Sequence, residues 1–356
     1  MARKKTSISE QDVINIVRSK AQVLLRQPNI TSVGVGYKVK DGKTTNKLSV
    51  QFTVGKKLAL EQLEAEGIKQ LPTSFEMENG VKIPVDVIKR EYEAHYEIVS
   101  DTEAERLAEE QTDRQKYRSR HDPVLPGISV SHIDGTAGSI GAIVYDNDTG
   151  QPYILSNWHV LHGNSGNVGD AIVQPGPYDD GSVQDNVMGS LVRSHLGLAG
   201  DCAVSSIKGR GFSEKILGLD VSPKRTAKVN LGDKIVKSGR TTGIAHGIVR
   251  RVGVVVKLNY GGSVGVQQIG GFEIGTNPNK PAQNNEISMG GDSGSLWLID
   301  GSDAESDIAV GLHFAGETDP SPSAEHAIAC NIHSVLRRLD VSFVENNAFC
   351  MDDEAW

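Results

Sequence analysis

Ser293 lies in the run Met289-Gly290-Gly291-Asp292-Ser293-Gly294-Ser295-Leu296. A serine hydroxyl is a weak nucleophile at neutral pH. It needs a base to take its proton and donors to receive the oxyanion its attack creates. Glycines let a tight turn aim successive backbone N–H groups at one point, because Gly tolerates dihedrals that other residues avoid. Gly291 and Ser293 are the candidate amide pair. Gly, Asp and Ser also compose ordinary turns, so the run has to be weighed with its partners.

A base is found in Tyr153-Ile154-Leu155-Ser156-Asn157-Trp158-His159-Val160-Leu161, an apolar strand that delivers His159 at its end. His162, three residues on, is the alternative. His159 is preferred because a scaffold strand fixes its position. A carboxylate should orient the imidazole and stabilise its charged form. Asp201 stands at the mouth of the apolar run Cys202-Ala203-Val204, where an Asp asks for a partner. Asp170 also precedes an apolar run but lies eleven residues from His159, a short reach to another strand. The order is thus His159, Asp201, Ser293, with separations of 42 and 92 residues. An α/β-hydrolase elbow is excluded. It needs Gly where Ser295 stands, places the acid and histidine after the serine, and requires a β-α-β alternation that is missing.

Order and spacing resemble the trypsin/chymotrypsin superfamily of serine proteases over residues 127 to 340. The resemblance implies Ser293 as nucleophile, His159 as general base and then acid, Asp201 as orienter, and the Gly291 and Ser293 amides as oxyanion hole. The strings ILSNWHVL, QPGPYDDG, KSGRTTG and GGDSGSLW, with Gly34-Val35-Gly36-Tyr37-Lys38 upstream, are similar to intracellular, bacterial-type trypsin-like proteins related to the plant NARROW LEAF 1 family. The segment Gly311-Leu312-His313-Phe314-Ala315-Gly316 corresponds to the strand beside the substrate's side chain, where glutamyl endopeptidases also carry a histidine. Ser288, His313 and Gly316 are therefore expected in the specificity pocket, and cleavage after Glu or Asp is expected. Ile287, six before Ser293, is no acid and does not support a Lys/Arg preference. No Ile-Val-Gly-Gly activation sequence precedes the barrel. What holds Asp292, which pairs with a freed N-terminus in secreted relatives, is left open.

The 356 residues suit two or three domains. With 39 glycines and 5% aromatics, the composition suits a β-protein rich in tight turns. The net charge of −8 is uneven. Residues 1–100 hold 16 basic and 12 acidic side chains, and the remainder holds 21 and 33. An acidic catalytic region is a poor match for nucleic-acid backbones. Cys202, Cys330 and Cys350 make no disulfide framework and no Cys-x-x-Cys, so neither a metal nor any other cofactor is expected. The N-terminus lacks an apolar signal-peptide stretch, and no run approaches the roughly 18 apolar residues of a membrane span. These features set the expectation of a soluble, cytoplasmic protein, and the resemblance implies that its substrate is a protein.

Periodicity then divides the chain. Ser7-Ile8-Ser9-Glu10 reads as a capping box opening a helix to Arg26. Strands over 30–37 and 48–54 follow, with Asp41-Gly42 between them, then a helix over 58–66 and a hairpin about Asn79-Gly80. Residues 1–98 are thus expected to be a small α+β domain that regulates or oligomerises the protein. Tyr37 and His95 read as structural. Residues 99–126 are expected to be a charged linker with a solvated face of no special role; the alternative is a cleavable or regulatory hinge. Residues 127–342 should form a mainly β, trypsin-like double β-barrel with a closing helix from His333, and 343–356 an acidic tail. The function expected is a serine endopeptidase of narrow specificity. Its rivals are a catalytically silent binding scaffold and a proenzyme activated by cleavage in the linker.

Overall fold

The computed structural model describes residues 8–40, 43–94, 111–282, 286–301, 306–317 and 325–345. Ser7, Asp41-Gly42, His95, Cys350, residues 99–110 of the linker and 346–356 of the tail lie outside the described residues.

Helix α1 (Glu10–Ile16) starts two residues later than the expected box. Ser9 is its cap: the Ser9 Oγ accepts the Asp12 N–H at 3.1 Å, and the Asp12 carboxylate accepts the Ser9 N–H at 3.0 Å. The next ten residues wind as a π-turn and then a 3₁₀ turn, ending at Arg26 before Pro28. Strands β1 (Ile30–Lys40) and β2 (Lys43–Val54) pair antiparallel. After α2 (Leu60–Ala65), strands β3 (Ser74–Glu76) and β4 (Lys82–Lys89) form the hairpin, with β4 parallel to β2. A short strand, β5 (Tyr92–Ala94), ends this part. Helix α3 (Gln111–Arg118) occupies the described part of the charged segment. It is docked rather than solvated: Tyr117 is buried over Gly243, and its hydroxyl lies 3.5 Å from Ser238 Oγ.

The first sheet holds β6 (Ser129–His132), β7 (Gly138–Ser139), β8 (Ala142–Asp146), β9 (Pro152–Ser156), β10 (Ala171–Val173), β11 (Val187–Gly197) and β12 (Gly200–Ser206). A one-turn helix, α4 (Trp158–Leu161), follows β9. The second sheet is built from β13 (Arg225–Thr226), β14 (Lys234–Gly239), β15 (Gly243–Asn259), β16 (Val266–Thr276), β17 (Leu296–Ile299), β18 (Ile308–Glu317) and β19 (His326–Asn331). Helix α5 (Ile332–Leu339) closes the chain, stopped by Asp340 in the left-handed region (φ 54°), and β20 (Val341–Ser342) returns to β8. The fold is mainly β, two curled sheets with a smaller N-terminal part. No helix among the described residues is long and apolar enough to cross a membrane.

The N-terminal strands do not enclose a core of their own. β1 pairs with β15, so one sheet runs from β14 through β15 and β1 to β3. Val13, Leu25, Val33 and Phe52 share a single apolar cluster with Ile235, Phe272, Trp297 and Val310. An amphipathic helix over half-buried strands needs an apolar partner layer, and here the second sheet supplies it. A buried ionic cluster crosses the seam. Glu273 accepts from Arg90 and Arg251, each at 2.8 Å, and from the Tyr92 hydroxyl, while Arg251 also reaches Ser32 Oγ at 3.0 Å. Burial pushes the Glu273 carboxyl up, but the two guanidinium groups outweigh it and hold the group well below the usual carboxylate range.

Candidate active site

β9 and β12 are neighbours, with Ala203 opposite Ser156. The residues just after Ser156 and just before Ala203 therefore meet at one sheet end, which is why His159 and Asp201 converge across 42 positions. His159 lies in the helical turn α4, two residues beyond the cap Asn157, rather than on the strand end itself. Its Nδ1 is 2.6 Å from Asp201 Oδ2, and its backbone N–H donates to Asp201 Oδ1 at 3.2 Å. Asp201 is fully buried. The Tyr260 hydroxyl donates to its Oδ2 at 2.7 Å, the Asn157 amide donates to its carbonyl at 2.7 Å, and its own N–H donates to Cys330 Sγ at 3.3 Å. Both alternatives lie elsewhere. His162 stacks on Trp158 with its Nδ1 2.7 Å from the Gly163 carbonyl, and Asp170 meets His132 at 3.2 Å.

The Ser293 loop enters from the second sheet and docks on Ser139. The Ser139 N–H donates to the Ser293 carbonyl at 2.7 Å, and its Oγ donates to the Gly291 carbonyl at 2.9 Å. The Ser139 carbonyl accepts from Ser156 Oγ at 2.8 Å, three residues before His159. Gly138 fits between the two sides: an added Cβ would lie 2.5 Å from Val160 Cγ2 and 2.9 Å from the Ser293 carbonyl oxygen. Gly291 and Gly294 take φ of 93° and 95°, which explains why these two positions are glycine. The neighbouring amides are committed, Asp292 to Met289, Gly294 to His313 and Ser295 to Asp292. Ser293 Oγ is buried and makes no hydrogen bond among the described residues.

Asp292 is held by Lys237. The two fully buried side chains meet at 3.1 Å. The carboxylate also accepts the Thr241 and Thr242 N–H groups at 2.9 and 3.0 Å, the Thr242 hydroxyl at 2.8 Å and the Met289 N–H at 3.0 Å. Burial pushes this carboxyl up. The Lys237 ammonium and the Thr242 N–H push it down further, so it stays well below the usual range. Arg240, from the same KSGRTTG string, pairs with Asp179 of QPGPYDDG, tying the two sheets together.

The expected pocket residues are engaged in unforeseen ways. Ser288 gives both its N–H (2.9 Å) and its Oγ (3.3 Å) to Glu325, which also accepts the Ile287 N–H. His313 is fully buried, its ring edge-on to Trp297 at 6.4 Å. Gly316 is paired with Ala327 on one side and Glu93 on the other. Burial, then the charge of Glu286, pushes the Glu325 carboxyl from 4.5 up to about 8, against the pull of the two amides. A carboxyl raised on folding stabilises the fold fully below its ordinary value and loses that contribution as pH rises to the folded value. We expect melting temperature to fall between pH 5 and 8.5, a loss on the order of 4 kcal/mol, and Glu325→Gln to flatten that slope. Parallel slopes for the two proteins would refute this assignment.

The sequence reading missed Tyr260, Lys237 and Glu325. Lys237 stands in a string that it did single out; Tyr260 and Glu325 carry no local signal.

No family model matches the chain, and no curated protein matches it. Solved structures do. The chain is similar to Thermobifida fusca protease A at 18% identity and a TM-score of 0.44, covering 63% of this chain and 99% of that one. It is similar to a glutamic acid specific serine protease at 20% identity and TM-score 0.45, over 61% and 98% of the two chains. Cellulomonas bogoriensis chymotrypsin matches at 16% identity and TM-score 0.43, over 63% and 99%.

Proposed function

We propose that this chain is a serine endopeptidase. The carrying observation is the buried His159–Asp201 pair at 2.6 Å beside a glycine-flanked serine loop tied through Ser139 to Ser156, three residues before His159. Ser293 Oγ attacks a peptide carbonyl, and His159 Nε2 takes its proton. Asp201 holds the imidazole with Nδ1 protonated and stabilises its charged form. The Gly291 and Ser293 amides receive the oxyanion, since the amides of Asp292, Gly294 and Ser295 are committed to the Met289, His313 and Asp292 carbonyls. His159 then protonates the leaving amine, and water hydrolyses the acyl-enzyme. Narrow specificity for a partner protein belongs to this reading. The expected preference for acidic residues is the part it favours least, because the Ser288 hydroxyl already donates to Glu325 and is not free to receive a substrate carboxylate.

The test is labelling by a fluorophosphonate. Wild-type protein should label and Ser293→Ala should not. Labelling of the alanine variant would remove the nucleophile assignment, and a wild type inert to the probe would instead favour a catalytically silent scaffold.

A further inference from the structure

Strand β18 has two edges. Strand β19 pairs along one of them as far as Gly316. The other edge is shared in succession. Leu298, Trp297 and Leu296 lie opposite Ala309, Gly311 and Leu312. The Ser293 loop comes next: the Gly294 N–H donates to the His313 carbonyl, and the His313 N–H donates to the Ser295 carbonyl, both at 2.9 Å. Beyond it, β5 takes the edge, with Ala94 opposite Ala315, Glu93 opposite Gly316 and Tyr92 opposite Glu317. Because β19 already fills the opposite side at these positions, β5 lies on the Ser293 side.

The polarity matters. β5 is antiparallel to β18, so passing from Tyr92 to Ala94 approaches the Ser293 loop. A peptide to be acylated must arrive with its carboxyl-side direction advancing on the nucleophile. Strand addition to a sheet edge supplies that alignment through main-chain bonds, whatever the side chains. We propose that Tyr92–Ala94 is a substrate-like strand held in cis on the Ala315–Glu317 edge, and that an extended peptide substrate must displace it to reach Ser293. This rests on the endopeptidase reading above.

The hold on β5 is short and specific. Three residues pair, Tyr92 and Ala94 bury their side chains in the core cluster, and the Tyr92 hydroxyl adds a bond to the buried Glu273. Glu273 keeps Arg90 and Arg251 when Tyr92 leaves, so the strand can detach without stranding a buried charge. A three-residue strand at the end of a ladder is the kind of unit that opens below the global unfolding free energy. The N-terminal part thereby acts as a built-in competitor, and a partner that pulls on it would relieve the block.

The experiment uses the full-length chain, dye-quenched denatured casein and a fluorophosphonate. In an antiparallel ladder, adjacent residues alternate in the edge their N–H faces, so one of residues 93 and 94 donates to β18. Glu93→Pro with Ala94→Pro removes that donor whichever it is. The double variant should raise kcat/KM on casein at least tenfold, chiefly through a lower KM. The rate of fluorophosphonate labelling should change less than threefold, because the small probe does not need the strand edge. Tyr92→Phe, which leaves the backbone intact, should give a smaller rise of about threefold and carries the test if the double variant does not fold. Labelled, folded variants with unchanged or lower kcat/KM would overturn the proposal while leaving the nucleophile assignment standing. Absence of labelling in the wild type would overturn both.

Discussion

Asp201→Asn is expected to lower kcat about 10⁴-fold with little change in KM. The carboxylate takes both its imidazole contact and the Tyr260 hydroxyl on Oδ2, and the His159 backbone N–H on Oδ1. An asparagine of the same shape can turn its NH₂ toward Nδ1. The imidazole then carries its proton on Nε2, the atom that the proposed mechanism needs to accept one from Ser293. Binding is untouched because Asp201 is fully buried and meets no substrate. Steady-state rates on casein, normalised to protein that labels on prolonged exposure to fluorophosphonate, measure the effect. A kcat within tenfold of wild type would mean that Asp201 is a structural acid and that the base is tuned some other way.

Lys237→Met is expected to destabilise the protein by roughly 3–5 kcal/mol at neutral pH. It removes the cation opposite a carboxylate that stays buried. Two threonine amides, a hydroxyl and the Met289 N–H still bind Asp292, but they carry no full charge. The sign with pH follows from the depressed carboxyl. Its stabilising contribution is present above the ordinary value of 3.8 and is lost as pH falls toward the lower folded value. The variant's deficit should therefore be greatest near neutrality and shrink below about pH 4. Adding Asp292→Asn should restore part of the loss, since the two sites are one interacting pair. Chemical denaturation of the single and double variants at pH 7 and pH 3 reads all of this. A single variant as stable as wild type at pH 7 would show that the hydrogen bonds alone hold Asp292. Activity should fall with stability, because Asp292 anchors the turn that presents Ser293. The buried pair also answers how that aspartate is held without a freed N-terminus: the cation is internal and already in place.

The individual elements were readable because each leaves a local imprint. The apolar run before His159, the apolar run after Asp201 and the glycines around Ser293 are each explained by a few adjacent residues: a strand that must be buried, or a turn that needs positive φ. Alternating burial along 243–250 likewise marks a strand with one face toward the core. The capping residue moved from Ser7 to Ser9 because two serines with acids three residues on offered the same signature, and Asp12 closes the second box.

The chain taken alone determined the chemistry-bearing residue types, their order and the mainly β texture, since these depend on neighbours in sequence. Tertiary structure decided who meets whom: Tyr260 on Asp201, Lys237 under Asp292, Glu325 on Ser288, and β5 on the edge beside Ser293. It also decided that the N-terminal strands extend the second sheet instead of folding around a centre of their own. Such contacts join positions tens to hundreds of residues apart, and no period or short motif encodes them. They follow from which sheet edges remain open and which buried charges need a counterpart once the strands are packed.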